Sequence, residues 1–175
     1  CEKALETAPD MLKKAENSGY PEIIHYAHQI FSSVLTRLAT METNSDEKKR
    51  LLEKALAHGN ESGRLVEQLE PFDYWDRGLN QASLAQTRWE LTELAEDCET
   101  KKKMLEEATS DSENSLKLCA KHAAYFERRG SVAVYAVLGI LQYQLGGALY
   151  RLFDSTYDKD RLRRAAEVFA EAAES

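Results

Sequence analysis

The sequence predicts an all-α protein of about seven helices, arranged as stacked antiparallel helix pairs. Three observations carry that prediction. Breakers are scarce, with eight Gly and three Pro in 175 residues, while the strong helix formers Ala, Leu, Glu, Lys and Arg are abundant. Apolar residues recur at the three-and-four spacing of a helix with one buried face. A short motif also returns at nearly constant separation: Leu35-Thr36-Arg37-Leu38-Ala39, then Leu91-Thr92-Glu93-Leu94-Ala95, then Leu149-Tyr150-Arg151-Leu152-Phe153, 56 and 58 residues apart.

The elements follow in order. A first helix near 2–17 ends at Ser18-Gly19-Tyr20-Pro21. The second, near 21–42, places Ile23, Ala27, Ile30, Phe31, Val34, Leu35 and Leu38 on its buried face. The polar turn Thr43-Asn44-Ser45-Asp46 supplies capping residues for a third helix near 46–69, which Glu70-Pro71-Phe72-Asp73 stops. A fourth helix near 72–97 runs to a phase change at Asp97-Cys98-Glu99-Thr100. The fifth, near 99–128, carries the stripe Leu105, Ala108, Ser112, Ser115, Cys119, Ala123 and Phe126. Its end at Arg128-Arg129-Gly130-Ser131 combines basic residues in the last turn, a Gly beyond it and a Ser N-cap. The sixth, near 131–153, closes at Asp154-Ser155-Thr156, and the seventh spans about 158–174. Polar runs interrupt the third and fifth helices, at Gly59-Asn60-Glu61-Ser62-Gly63 and from Ser110 to Ser115. The apolar stripe stays in phase across both, so each reads as a continuous helix with a small-residue waist.

Each motif-bearing helix (A) is followed by a polar turn and an Ala-containing helix (B): Leu52-Glu53-Lys54-Ala55, Leu105-Glu106-Glu107-Ala108, Leu162-Arg163-Arg164-Ala165. The opening Glu2-Lys3-Ala4-Leu5 matches Glu53-Lys54-Ala55-Leu56, so the first helix is the second half of a repeat. Residues 1–175 are therefore expected to form a single helical-repeat domain, with a half repeat at 1–19 and repeats at about 20–70, 71–129 and 130–175. Such an array is a solenoid in which each pair buries its stripe against its neighbours. The sequence starts at Cys1 without Met and stops in helical sequence at Glu171-Ala172-Ala173-Glu174-Ser175, and a longer parent protein is expected.

Residues 131–150, SVAVYAVLGILQYQLGGALY, carry no charge and match a membrane span in length. Gln142 and Gln144, and the register with two charge-bearing A helices upstream, assign the stretch instead to the most buried A helix, covered by neighbours on nearly all sides. Its Gly146 lets a neighbouring helix approach closely, and Gly147 falls on the adjoining stripe.

A net charge of −7 argues against general affinity for nucleic acid or anionic membrane. The runs Arg128-Arg129 and Arg161-Leu162-Arg163-Arg164 read as solvated helix ends. Cys1, Cys98 and Cys119 are too few and too scattered for a disulfide framework, which fits a reducing, cytoplasmic setting. No Gly-rich phosphate loop, Gly-x-Ser-x-Gly elbow or His-Glu-x-x-His occurs. The carboxylates of 93–97 and 106–107 lie amid Lys and Arg at helical spacing, as on a solvated face. His25 with His28, and Cys119 with His122, are spaced to share a helix face, but the two pairs fall in different repeats. No enzyme, metal or cofactor is expected.

The last pair resembles the tetratricopeptide repeat. Leu145-Gly146 is similar to that family's Leu-Gly, and Ala165, Phe169 and Ala172 to its small-aromatic-small signature. The family unit is about 34 residues, and here the helices are longer; the earlier pairs keep fragments of the pattern and the terminal Pro is missing. The resemblance implies a right-handed α-solenoid that binds a peptide or protein partner in a concave groove lined by the A helices. Aligned on Leu145-Gly146, that groove takes Ile140, Tyr143, Gly147, Tyr150 and Arg151 from the last repeat. Ala82, Ala85, Trp89, Thr92 and Glu93 correspond in the middle one, and Tyr26, Gln29, Ser33, Thr36 and Arg37 in the first. Tyr26, Trp89, Tyr143 and Tyr150 are the candidate anchors, unless they fill seams between helices instead. The family's basic clamp for a C-terminal carboxylate has no counterpart. The leading expectation is a protein-interaction scaffold or sensor module; the alternative is a helical module for self-assembly, such as a homodimer, and a metal-binding or catalytic bundle comes third.

Overall fold

The computed structural model describes residues 2–69, 74–126 and 132–174. They form seven α-helices and no strand: α1 Glu2–Ser18, α2 Pro21–Ala39, α3 Ser45–Val66, α4 Tyr74–Thr92, α5 Cys98–Phe126, α6 Val132–Thr156 and α7 Lys159–Glu174. The A helices are α2, α4 and α6; the B helices are α1, α3, α5 and α7.

The boundaries have local causes. Gly19 ends α1 in the left-handed region at φ +70, and Pro21 starts α2 where a missing N–H costs nothing. The Asn44 Oδ1 accepts the Glu47 N–H at 3.0 Å to cap α3, and the Asp97 Oδ1 accepts the Thr100 N–H at 2.7 Å at the start of α5. Three helices stop earlier than their apolar patterns suggest, α2 at Ala39, α3 at Val66 and α4 at Thr92. In each the chain leaves through tight three-residue bonds, Met41 N–H to the Leu38 carbonyl, Gln68 to Leu65 and Leu94 to Leu91. α6 does the opposite. It runs through Asp154-Ser155-Thr156 and stops at Tyr157, whose φ of 56 is left-handed and whose N–H reaches the Phe153 carbonyl at 2.6 Å. The expected stops at 70–73 and 128–131 lie outside the described residues.

Cross-helix contacts define the topology. Within hairpins the partner numbers run oppositely: His25 with Ser62, Ser32 with Ala55, Gly78 against Cys119, Arg88 with Glu107, so each hairpin is antiparallel. Between A helices they run together: Tyr26 with Asp76, Thr36 with Thr87, Trp89 with Gly147, Glu93 with Arg151. The A helices are therefore parallel to one another, as in a stacked repeat. Backbones of α2 and α4, and of α4 and α6, approach closely, whereas those of α3 and α5 or α5 and α7 do not. B helices meet through long side chains such as Arg161 and Glu106 at 3.5 Å.

Both waists are continuous helix. At Gly59 of α3 a Cβ would lie 2.8 Å from the Leu84 side chain, and at Gly78 of α4 it would lie 3.2 Å from the Ser115 carbonyl of α5. The small residues mark where α4 presses against the B helices on either side. One apolar cluster joins Leu35, Ala39, Leu51, Leu52, Ala55 and Leu91; a second joins Leu145, Leu149, Ala165 and Val168.

Two sequence expectations are corrected. In α2, Leu35 is buried as expected, but Ile23 and Ile30 are half exposed, and His25, His28, Ser32, Thr36 and Ala39 are buried beside Leu35. His25 and Ser32 of this stripe hydrogen-bond the Ser62 and Ala55 carbonyls of α3, and His28 and Thr36 bond His58 and Thr87, so these polar side chains are satisfied where they are buried. In α6, Leu141, Leu145, Ala148, Leu149 and Leu152 are buried, yet Ile140 and Tyr143 are 58% and 66% exposed and Tyr150 is also exposed. The helix is not covered on nearly all sides. The positions 58 residues before Tyr143 and Tyr150 are Ala85 and Thr92, 3% and 6% exposed. The same register is thus buried in the middle A helix and open in the last, where no further A helix packs among the described residues.

Candidate functional site

The exposed large hydrophobic side chains are distributed unevenly. Ile23, Tyr26 and Ile30 project from α2 and Ile140, Tyr143 and Tyr150 from α6; α1 and α7 expose Met11 and Leu162, and α3, α4 and α5 expose none among the described residues. Removing such side chains from water is worth about 1.5–3 kcal/mol each when fully buried, so leaving three on α2 and three on α6 singles out the first and last A helices.

The sequence-predicted groove residues divide into three groups. Tyr26, Ser33 and Arg37 are exposed along one stripe of α2, with Gln29 at its partly covered edge. Trp89, Glu93 and Arg151 come together between α4 and α6. The Arg151 guanidinium lies 4.6 Å from the Trp89 ring centroid and pairs with Glu93. Gly147 receives the Trp89 ring edge, which would lie 2.5 Å from a Cβ there. Trp89 is therefore a seam residue with one edge on the surface. Tyr143 and Tyr150 lean away from that seam: Tyr143 meets the Phe169 ring at 5.6 Å and Tyr150 meets Phe153 at 6.4 Å. Thr36, Ala85 and Thr92, assigned to the groove by alignment, are buried; Thr36 and Thr87 hydrogen-bond across α2 and α4 at 2.9 Å. Tyr26 also reaches across this joint, donating its hydroxyl to Asp76.

Beneath the face lies a polar joint that periodicity alone did not reveal. The His25 Nδ1 sits 2.7 Å from the Ser62 hydroxyl, and the Ser32 hydroxyl donates to the Ala55 carbonyl at 2.8 Å. His28 and His58 share a 2.9 Å contact between their Nδ1 atoms, which requires one to donate and the other to accept. Burial lowers the pKa of both imidazoles; for His28 the carboxylates Glu61 and Glu16 oppose this. The spacing 25, 28, 32, 36 was a visible signal of a second stripe, hidden because its members are polar. On the far side of α4, Arg88 pairs with Asp111 and Glu107, and burial pushes the Asp111 carboxyl up to about 6 against the pull of Arg88.

The candidate metal pairs separate. His25 turns to Ser62 and His28 to His58; Cys119 is buried against Gly78 while His122 stacks on Trp75 at 5.0 Å. Burial pushes the Cys119 thiol up to about 11. Among the described residues no cluster of three or more His, Cys, Asp or Glu could hold a metal ion. Two cavities flank α4. One of about 890 Å³ at its C-terminal end is lined by Asp46, Glu53, Glu93, Glu96 and Asp97 with Lys49; another of about 340 Å³ near its N-terminal end is predominantly basic.

This arrangement defines an α-helical repeat protein, with solenoid-like packing of successive helices. Known structures agree. The chain is similar to the DHF58 filament (TM-score 0.54, 19% identity, 98% of this chain and 77% of that one) and to the de novo designed helical repeat protein DHR64 (0.51, 20%, 99% and 78%). It is likewise similar to the DHF38 filament (0.53, 21%, 99% and 78%). At these identities the likeness is one of fold. No family model matches the chain, and no curated protein matches it. Among the described residues no helix is long and apolar enough to cross a membrane.

Proposed function

We propose that the chain is an interaction scaffold that binds a protein or peptide partner along its A-helix face. The observation that carries this reading is the asymmetry of exposed large apolar side chains, six on the A helices α2 and α6 against two on the B helices, Met11 and Leu162, among the described residues. The A helices run parallel, and the Trp89–Arg151–Glu93 cluster between α4 and α6 has a polar, aromatic character suited to recognition. A tetratricopeptide-like identity is supported by the last hairpin, where Gly146 receives the Phe169 ring and Ala165 lies in the same core. The molecule acts without catalysis in this reading and in a cytoplasmic setting.

The test is a paired substitution, Ile30→Ser with Ile140→Ser, compared with Glu113→Ser on the exposed side of α5, each checked for an unchanged circular dichroism melt. Loss of retained partner with the first pair alone supports the A face. Equal retention by both would end the proposal. Self-assembly is the second reading, favoured by the two filaments among the similar structures. Light scattering across a dilution series decides it, since a constant monomer mass would contradict it.

A further inference from the structure

We propose that the groove between α3 and α5, at the C-terminal end of α4, binds an arginine-bearing segment of a partner protein. The arginine lies beside Glu53, and an apolar neighbour rests on Leu56, Leu94 and Met104. The site is separate from the A-helix face and stands whether or not that face binds the same partner. Lys102 and Glu113 of α5 do not line it.

The next groove along the solenoid supplies the comparison. Between α5 and α7 a cavity of about 280 Å³ is lined by Glu106, Thr109, Leu149, Leu152 and Arg161. The corresponding repeat positions are Glu53, Leu56, Leu91, Leu94 and Met104, all on the wall of the groove of about 890 Å³. The two cavities are one site in successive repeats. In the second, the protein supplies its own cation: Arg161 of α7 reaches Glu106 of α5 at 3.5 Å and pairs with Asp158 at 3.2 Å. In the first, α5 carries Met104 where α7 carries Arg161, and Glu53 enters no ion pair among the described residues.

The surroundings of Glu53 define the occupant. Glu96 on the same wall is unpaired as well, and Asp46 and Asp97 add negative charge while also serving the N-termini of α3 and α5. Lys49 is the one cation among the described residues of the lining. The floor is apolar: Leu56, Leu94 and Met104 pack against the cluster of Leu35, Leu52 and Leu91 yet stay partly open. Two of these three are polar in the next groove, where Thr109 and Arg161 stand for Leu56 and Met104. Passing from the closed groove to the open one therefore removes a guanidinium and adds apolar surface. The complement of that change is an arginine next to an apolar side chain, and the larger volume suits a short chain segment.

The test is an NMR titration of the whole chain with acetyl-Leu-Arg-Leu-amide, using acetyl-Leu-Gln-Leu-amide and acetyl-Ala-Arg-Ala-amide as controls. The Met104 methyl signal should shift saturably with the first, about tenfold more tightly than with either control. Glu53→Gln should weaken binding about tenfold at an unchanged melting temperature, since Glu53 is exposed and unpaired. Met104→Arg copies the α5–α7 groove, so its own guanidinium should reach Glu53 and abolish binding, read from the Leu94 backbone amide. The proposal is overturned if the arginine peptide gives no saturable shift at millimolar concentration, or if the glutamine control binds equally. Either variant binding as the parent does would overturn it too. An alanine control as tight as the leucine peptide would overturn the role given to Leu56, Leu94 and Met104.

Discussion

The joint where α2, α3 and α4 meet is stitched by imidazoles, hydroxyls and an amide, whereas the α6–α7 hairpin closes over Leu145, Leu149, Ala165 and Val168. Both bring helices close through small residues, Gly59 and Ser62 in the first case and Gly146 in the second. They differ in what fixes the register. In the apolar hairpin, shape does it: the Phe169 ring has one place to sit, over the missing side chain of Gly146. In the polar joint, each buried donor must find its carbonyl or hydroxyl, so a slip of one turn leaves several groups unsatisfied. The first kind of seam is sensitive to volume, the second to chemistry and pH.

The largest effect should come from volume. Gly146→Leu places a side chain where even a Cβ would lie 2.8 Å from Phe169, and overpacking of this kind costs about 3 kcal/mol, a drop of roughly 6–12 °C in melting temperature. The loss should shrink in a Phe169→Ala background, which a double-mutant cycle would show. At the polar joint, Ser62→Ala removes the hydroxyl 2.7 Å from the fully buried His25. It should cost about 1–2 kcal/mol in urea denaturation, although the volume change is slight.

Acid separates the regions next. His28 and His58 titrate below their ordinary 6.5 because burial disfavours the imidazolium. The unfolded chain therefore takes up protons first, and the contribution of this pair is complete above about 6.5 and lost as the pH falls below it. Asp111 has the opposite sign. Its carboxyl is raised from 3.8 to about 6, so its contribution is present below 3.8 and lost as the pH rises through 6. Urea midpoints at pH 7.5 and 5.5 should show that His58→Gln reduces the acid-side loss, while Asp111→Asn removes the opposing gain. The smallest effect is kinetic. Cys98 is exposed and Cys119 is buried with its thiol raised to about 11, so a thiol reagent should label Cys98 at once and Cys119 only through opening of the α4–α5 joint.

The contrast also explains what the sequence made legible. Helix number, the A–B alternation and the close approach at Gly146 were readable because they depend on breakers, repeated motifs and missing side chains. The continuity of α3 and α5 followed from stripes that stayed in phase across their polar waists. The inward face of α2 was misread, since Ile23 and Ile30 fit an apolar period while His25, His28, Ser32 and Thr36 do the burying. Pairing His28 with His58, or Asn80 with Gly59, needs the distance between helices, which no single helix encodes. At the candidate face the alignment identified Tyr26, Tyr143 and Tyr150 as surface aromatics, but it could not show that Trp89 is wedged over Gly147, or that the register of Tyr143 is buried in α4.

The central claim is that the A-helix face is the working surface of this solenoid. Site-specific photo-crosslinking in the native cell addresses it most directly, with the crosslinking side chain placed in turn at Ile30 and Ile140 on the A face and at Lys102 and Glu113 on the B face. The account predicts a discrete protein adduct from both A-face sites and none from α5. Adducts of equal yield from all four positions, or from α5 alone, would contradict it.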